Sequence, residues 1–171
     1  VVMGPPTIKT SLNITSPKRN EVINLTANVT DTLGLSTAQI IVNDTGFIRY
    51  FNFSLSDKVD TFSQNVTISC GRGCVINFTA RVNDTTNVFA INDTIITVSN
   101  SVPATPIILH PTNNLYTSKQ ANISLNVTAK DVDNDVLNIS YYINGKLNQT
   151  SLVNTTLNVS DGYYILNVST Y

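Results

Sequence analysis

Sixteen asparagines in this 171-residue chain stand two positions before a serine or threonine with no proline between: Asn13, Asn24, Asn28, Asn43, Asn52, Asn65, Asn77, Asn83, Asn92, Asn122, Asn126, Asn138, Asn148, Asn154, Asn158 and Asn167. This triplet is the acceptor for N-linked glycosylation, which joins a sugar to the side-chain amide. The chain has 23 asparagines and 38 serines and threonines. Random placement would give about five triplets, so composition alone does not produce sixteen. The competing reading treats Asn and Thr as uncharged surface residues only, and it leaves the excess without a cause. A glycan-covered extracellular protein is therefore the expectation.

Two other groupings could do chemistry. Cys70 and Cys74 flank Gly71-Arg72-Gly73. Glycines tolerate the positive φ that a three-residue loop demands, so the spacing predicts a disulfide stapling a hairpin. A metal site here lacks ligands, because His110 is the one histidine and there is no third cysteine. Asp131, Asp133 and Asp135 put carboxylates at alternate positions, which makes them a candidate calcium loop, since Ca²⁺ favours oxygen clusters on flexible loops. The stretch departs from an EF-hand in lacking the sixth-position glycine and the twelfth-position glutamate, and aspartates also favour turns without metal.

Nothing in the chain assembles a catalytic pattern: there is no Gly-x-Ser-x-Gly, no glycine-rich phosphate loop and no His-Glu-x-x-His. His110, next to Pro111, is read as a loop residue at a strand end. Asp44, Asp84 and Asp93 lie inside Asn-Asp-Thr triplets and are assigned to turns. The expectation is a non-enzyme that requires no cofactor, with N-linked glycans and the candidate calcium as its only non-protein groups.

The elements that must carry these residues are legible in the triplets themselves. In eleven of the sixteen the middle residue is Ile, Leu, Val or Phe. On a β-strand successive side chains point to opposite faces, so each such triplet sends its Asn and hydroxyl to solvent and its middle residue to a core. Residues 22–30 do this twice, with Ile23, Leu25, Ala27 and Val29 on one face and Asn24, Thr26, Asn28 and Thr30 on the other. Short alternating runs separated by turn residues predict an all-β fold of sandwich type. Expected strands are 7–15, 21–30, 37–43, 47–55, 59–69, 74–83 and 89–99, then 106–110, 114–118, 121–130, 136–144, 146–150, 152–159 and 162–171. Tyr50-Phe51, Tyr141-Tyr142 and Tyr163-Tyr164 fall in these strands, one of each pair packing inside.

Residues 99–106, reading SNSVPATP, interrupt the alternation with two prolines and mark a linker. The pattern then restarts: Asn24-Leu-Thr-Ala-Asn-Val-Thr30 matches Asn122-Ile-Ser-Leu-Asn-Val-Thr128 at an offset of 98 residues. The repeat and the length together imply two tandem β-sandwich domains, 1–100 and 101–171. After Asn77-Phe-Thr79 the first module continues into a final strand, whereas the second stops two residues after its equivalent Asn167-Val-Ser169. The second module thus lacks its last strand within this sequence. Continuing polypeptide would supply it in a longer array; the alternative is a strand donated by a neighbouring subunit, for which Val1-Val2 is short.

Charged residues are 12% of the chain, with Glu21 the sole glutamate, and the net charge is −1. Attached sugar would supply the solubility that charge does not. Nucleic acid and anionic lipid are disfavoured as partners, since either needs clustered Lys and Arg. No apolar run reaches the length of a membrane span, and the first residues lack the regions of a signal peptide, so the chain is read as a processed stretch of a larger secreted protein.

The runs Leu25-Thr-Ala-Asn-Val-Thr-Asp31 and Ala38-Gln-Ile-Ile-Val-Asn43 resemble the immunoglobulin-like repeats of bacterial and archaeal surface proteins. Thr128-Ala-Lys-Asp-Val-Asp-Asn-Asp135 and Ile139-Ser-Tyr-Tyr-Ile-Asn-Gly145 resemble the fibronectin type III-like and cadherin-like repeats of the same proteins. Sequon saturation with Asn, Thr and Ile richness looks most like the archaeal members. The resemblance implies immunoglobulin-like sandwiches at the cell surface, in a fibre, filament or stalk, with neighbouring modules or identical subunits as partners. A carbohydrate-binding adhesin module is the alternative.

Overall fold

Period-two alternation makes every regular element a strand. The computed structural model describes residues 4–112, 122–135, 137–160 and 162–171, and it divides into two compact units, Val1–Asn100 and Ser101–Tyr171. The expected strand at 114–118 and the Val1-Val2 segment lie outside the described residues.

The first unit has seven strands: β1 (Thr7–Leu12), β2 (Val22–Thr30), β3 (Leu35–Asp44), β4 (Phe47–Ser54), β5 (Val59–Thr67), β6 (Val75–Asp84) and β7 (Phe89–Thr97). They form two antiparallel sheets, ordered β1-β2-β5 and β4-β3-β6-β7. Ile23, Leu25, Ala27 and Val29 of β2 pack with Ile40 and Val42 of β3 and with Ile76, Phe78, Ala80 and Val82 of β6 in a single core. Residues from both sheets interdigitate in this core, which is what a sandwich requires. Phe53 and Phe62, from opposite sheets, bring their rings to 4.9 Å between centroids.

The second unit repeats the plan with β8 (Ile107–His110), β9 (Asn122–Thr128), β10 (Ile139–Ile143), β11 (Lys146–Ser151), β12 (Thr155–Asn158) and β13 (Leu166–Thr170). Its sheets are ordered β12-β9-β8 and β11-β10-β13. Asn144 and Gly145, both at positive φ, turn β10 into β11, the Asn-Gly chemistry of a two-residue hairpin. Leu125, Val127, Ile139, Tyr141 and Leu157 form a smaller core.

Strand for strand, β9, β10 and β13 take the places of β2, β3 and β6. β6 is paired on both sides, by β3 and β7, whereas among the described residues β13 is paired only by β10. The chain is all-β, two tandem immunoglobulin-like sandwiches, the first with seven strands and the second with six among the described residues. Strand ends fall within a few residues of expectation, but Tyr163 and Tyr164 precede β13 in a loop. There Tyr163 is exposed, and Tyr164 Oη donates to the Ser160 carbonyl. No helix of the described residues is long and apolar enough to cross a membrane.

Candidate glycan-acceptor surface

None of the sixteen acceptor asparagines is buried. Asn24, Asn77, Asn83, Asn92 and Asn138 are half-buried and the others exposed. The strands bring together acceptors that are far apart in sequence. Asn24 on β2 faces Asn65 on β5, Asn43 on β3 faces Asn77 on β6, and Asn122 on β9 faces Asn158 on β12. Facing residues of an antiparallel pair have Cα atoms about 4.5–5.5 Å apart.

Six of these amides share a hydrogen-bonding arrangement that the sequence does not reveal. Asn13 Oδ1 accepts from the Asn24 amide, Asn28 Oδ1 from the Thr61 hydroxyl, and Asn43 Oδ1 from the Gly46 amide. Asn52 Oδ1 accepts from Gln39 Nε2, Asn65 Oδ1 from Asn24 Nδ2, and Asn154 Oδ1 from the Val127 amide. Each carboxamide is oriented through its oxygen, which turns away from its anchor the nitrogen that a sugar would join.

Asn77 departs from it, its Oδ1 being buried without a partner among the described residues, and two further acceptors use their nitrogen. Asn24 donates from Nδ2 to Asn65 Oδ1 at 2.7 Å and accepts the hydroxyl of its own triplet, Thr26, at 2.8 Å. Asn92 is turned inward on β7: Oδ1 accepts from Thr10 Oγ1 at 2.9 Å, and Nδ2 reaches the Ile8 carbonyl at 3.4 Å. Thr94, the hydroxyl of that triplet, lies 3.0 Å from the same Thr10 oxygen. The parity of β7 explains the inversion. The middle residue of this triplet is Asp93, which is exposed, so its neighbours Asn92 and Thr94 face the seam with β1. An apolar middle residue thus signals an outward asparagine, and a charged one within a strand can reverse it.

The other Asn-Asp-Thr aspartates are not surface turn residues. Asp44 is 3% and Asp84 1% exposed. Asp84 Oδ1 accepts from the Thr86 and Val88 amides and from the Thr86 hydroxyl, closing the β6–β7 turn. Burial pushes this carboxyl up, but the three donors outweigh it and hold it below its ordinary value. Asp44 Oδ2 accepts from the Ser69 hydroxyl, and its Oδ1 lies 3.3 Å from Cys74 Sγ.

Cys70 and Cys74 are joined in a disulfide. The loop they close does not make a hairpin, because β5 and β6 belong to different sheets. It staples the corner where the chain crosses the sandwich, with Gly73 at φ 78° and its amide bonded to the Val98 carbonyl at 2.8 Å. A short Cys-Gly-x-Gly-Cys loop specifies only a chain reversal, and either geometry satisfies it. Among the described residues, only Asp44, Cys70 and Cys74 bring three metal-type ligand atoms within 4.8 Å of one another, and both sulfurs are spent on the disulfide.

At the acidic loop, Asp131 Oδ1 accepts from the Asp133 amide, and Asp133 Oδ2 accepts from the Ser101 amide, both at 2.6 Å. Asn134, at φ 62°, completes the turn. Asp131 Oδ2 and the Ser101 hydroxyl are buried without a hydrogen-bond partner. Orphaned oxygens of this kind suit a hard cation, although the three carboxylates do not converge as a single ligand group. His110 is the last residue of β8, paired opposite Asn126, and so is a strand residue rather than the loop residue expected.

No family model matches the chain. No curated protein sequence matches it either. Among solved structures, the fibronectin(III)-like modules of Clostridium thermocellum CbhA align with 96% of this chain and 85% of that one, at 13% identity and a TM-score of 0.39.

Proposed function

We propose that this chain is a structural, heavily N-glycosylated extracellular protein, part of a cell-surface fibre, filament or stalk of archaeal type built from tandem immunoglobulin-like modules. The observation that carries the proposal is the way acceptor asparagines on sheet faces and turns are held through Oδ1 with Nδ2 left over. The low charge of the chain supports it, since sugar would do the solvating that charge does not. Its role is mechanical: sandwiches act as spacers, and glycans shield sheet faces from proteases and from unwanted strand pairing. Neighbouring immunoglobulin-like modules or identical subunits are its proposed partners.

Electron microscopy of native material tests this reading. Continuous fibres with branched density on the outward asparagines are expected, and isolated particles with bare asparagines would overturn it. A second reading, a carbohydrate-binding adhesin module, is favoured by one feature. A shallow groove of about 460 Å³ on the β4-β3-β6 face is lined by Ala38 and Phe53 together with Thr37, Gln39, Asn52, Ser54, Arg81 and Asn83, whose polar groups suit sugar hydroxyls. Competable binding on a glycan array would support that alternative.

The acidic loop is proposed to take Ca²⁺ through Asp131 Oδ2 and the Ser101 hydroxyl, with Asp133 and Asp135 adding charge. The second unit should then melt at higher temperature in calcium than in chelator, and Asp131→Asn should abolish the difference. Identical melts in the two conditions would remove calcium from the proposal.

A further inference from the structure

If the chain is a glycoprotein, as proposed above, the sixteen acceptors need not all be used, and the chemistry of transfer says what distinguishes them. Glycosyl transfer from an activated, phosphate-linked sugar donor breaks the donor's C1–O bond, and the phosphate leaves with the electron pair. A C1–Nδ2 bond forms as the amide nitrogen loses one proton. The reacting atom is therefore the asparagine nitrogen, and the sheets treat that atom in two ways. In Asn13, Asn28, Asn52 and Asn65 the oxygen makes the anchoring bond. In Asn24 and Asn92 the nitrogen makes one.

We propose that the folded sheets select their own glycosylation sites: acceptors bonded only through Oδ1 carry sugar, whereas Asn24 and Asn92, whose Nδ2 is engaged in a hydrogen bond, remain bare. This selection rests on the glycoprotein reading. At Asn92 the orientation is set by chemistry, because the Ile8 carbonyl can only accept and so must face Nδ2. A sugar there would enter the seam between β1 and β7 and strip Thr10 of its partners Asn92 and Thr94. At Asn24 the obstacle is the bond from its Nδ2 to Asn65 Oδ1, and its place in the sheet adds to it. It occupies the central strand of its sheet, between Asn13, which accepts its backbone amide, and Asn65, which accepts its side chain. A sugar on Asn65 leaves the Asn24–Asn65 bond in place, since Asn65 contributes only oxygen to it. A sugar on Asn24 would be driven against both neighbours across strand pairs about 4.5–5.5 Å apart.

Site-resolved glycopeptide mass spectrometry of the native folded protein tests the selection. Sugar is expected on Asn13, Asn28, Asn52 and Asn65 and not on Asn24 or Asn92. Two variants separate the hydrogen bond from mere neighbourhood. Asn65→Ala removes the atom that engages Asn24 Nδ2, and Asn24 should become modified. Thr67→Ala destroys the Asn65 triplet but keeps the Asn65 carboxamide, and Asn24 should stay bare. Sugar on Asn24 or Asn92 at the level found on Asn65 would overturn the selection while leaving the glycoprotein reading intact, and so would a gain at Asn24 in Thr67→Ala. An absence of sugar from every asparagine would overturn both.

Discussion

At the scale of single residues, two buried polar groups have opposite status. Tyr141 is fully buried in the second core, and its hydroxyl has no hydrogen-bond partner. Burial pushes its phenol above the ordinary range. An unpaired buried hydroxyl costs its desolvation without return, so Tyr141→Phe should stabilise the second unit by about 1 kcal/mol, read from denaturant unfolding. A loss of stability would show that the hydroxyl is satisfied in solution. Asp84, by contrast, meets three donors from Thr86 and Val88 at Oδ1, although its Oδ2 is buried without a partner among the described residues, and its carboxyl lies below the ordinary value. A group depressed in the folded state contributes stability above its unfolded pKa and loses it as pH falls through the folded one. The first unit should therefore lose melting temperature on acidification below about pH 4, with a shallower loss in Asp84→Asn. Parallel acid profiles for the two proteins would count against this role.

At the scale of elements, the Cys70–Cys74 corner is the clearest case. The bond ties the crossing from β5 to β6, and the adjoining Cys74 and Val98 backbones prolong the β6–β7 pairing. Closing so short a loop is worth about 2 kcal/mol by the loop-entropy relation. Reduction should lower the stability of the first unit by roughly that amount and leave the second unit unmoved, a difference that calorimetry of the reduced and oxidised protein would resolve. A fall in both transitions would contradict it. Strands are the most legible elements, because each buried stripe, such as Ile23, Leu25, Ala27 and Val29, is written in alternate letters. The loop holding Tyr163 and Tyr164 imitates a strand in the sequence because two aromatics carry β-propensity whether or not a neighbouring strand pairs with them.

For the molecule as a whole, surface chemistry matters more than core chemistry. The chain carries a net charge of −1, and Phe47, Tyr50, Ile91 and Ile95 are exposed on or beside the β4-β3-β6-β7 sheet. A protein with so little net charge tends to associate unless something else solvates it. If the acceptors carry sugar as proposed, its chemical or enzymatic removal should cause concentration-dependent aggregation, measured by light scattering, with little change in secondary structure. Stripped protein that stays monodisperse would argue that the amide and hydroxyl surface suffices. The sandwich of the first unit closes with seven strands, while among the described residues β13 of the second is paired on one side.

The all-β class, the two-module repeat, most strand positions and the acceptor inventory were determined by the sequence itself, because alternation and spacing are local properties of the chain. Which asparagines face one another, which spend nitrogen and which spend oxygen, and which sheets the Cys70–Cys74 corner joins were decided only by the tertiary structure. Those relations depend on register between strands tens of residues apart. Asn92 illustrates the division: its triplet is complete in the sequence, yet the pairing of β7 turns it toward Thr10 and Ile8, 82 and 84 residues away. Nothing in the local pattern beyond the exposed Asp93 signals that reversal.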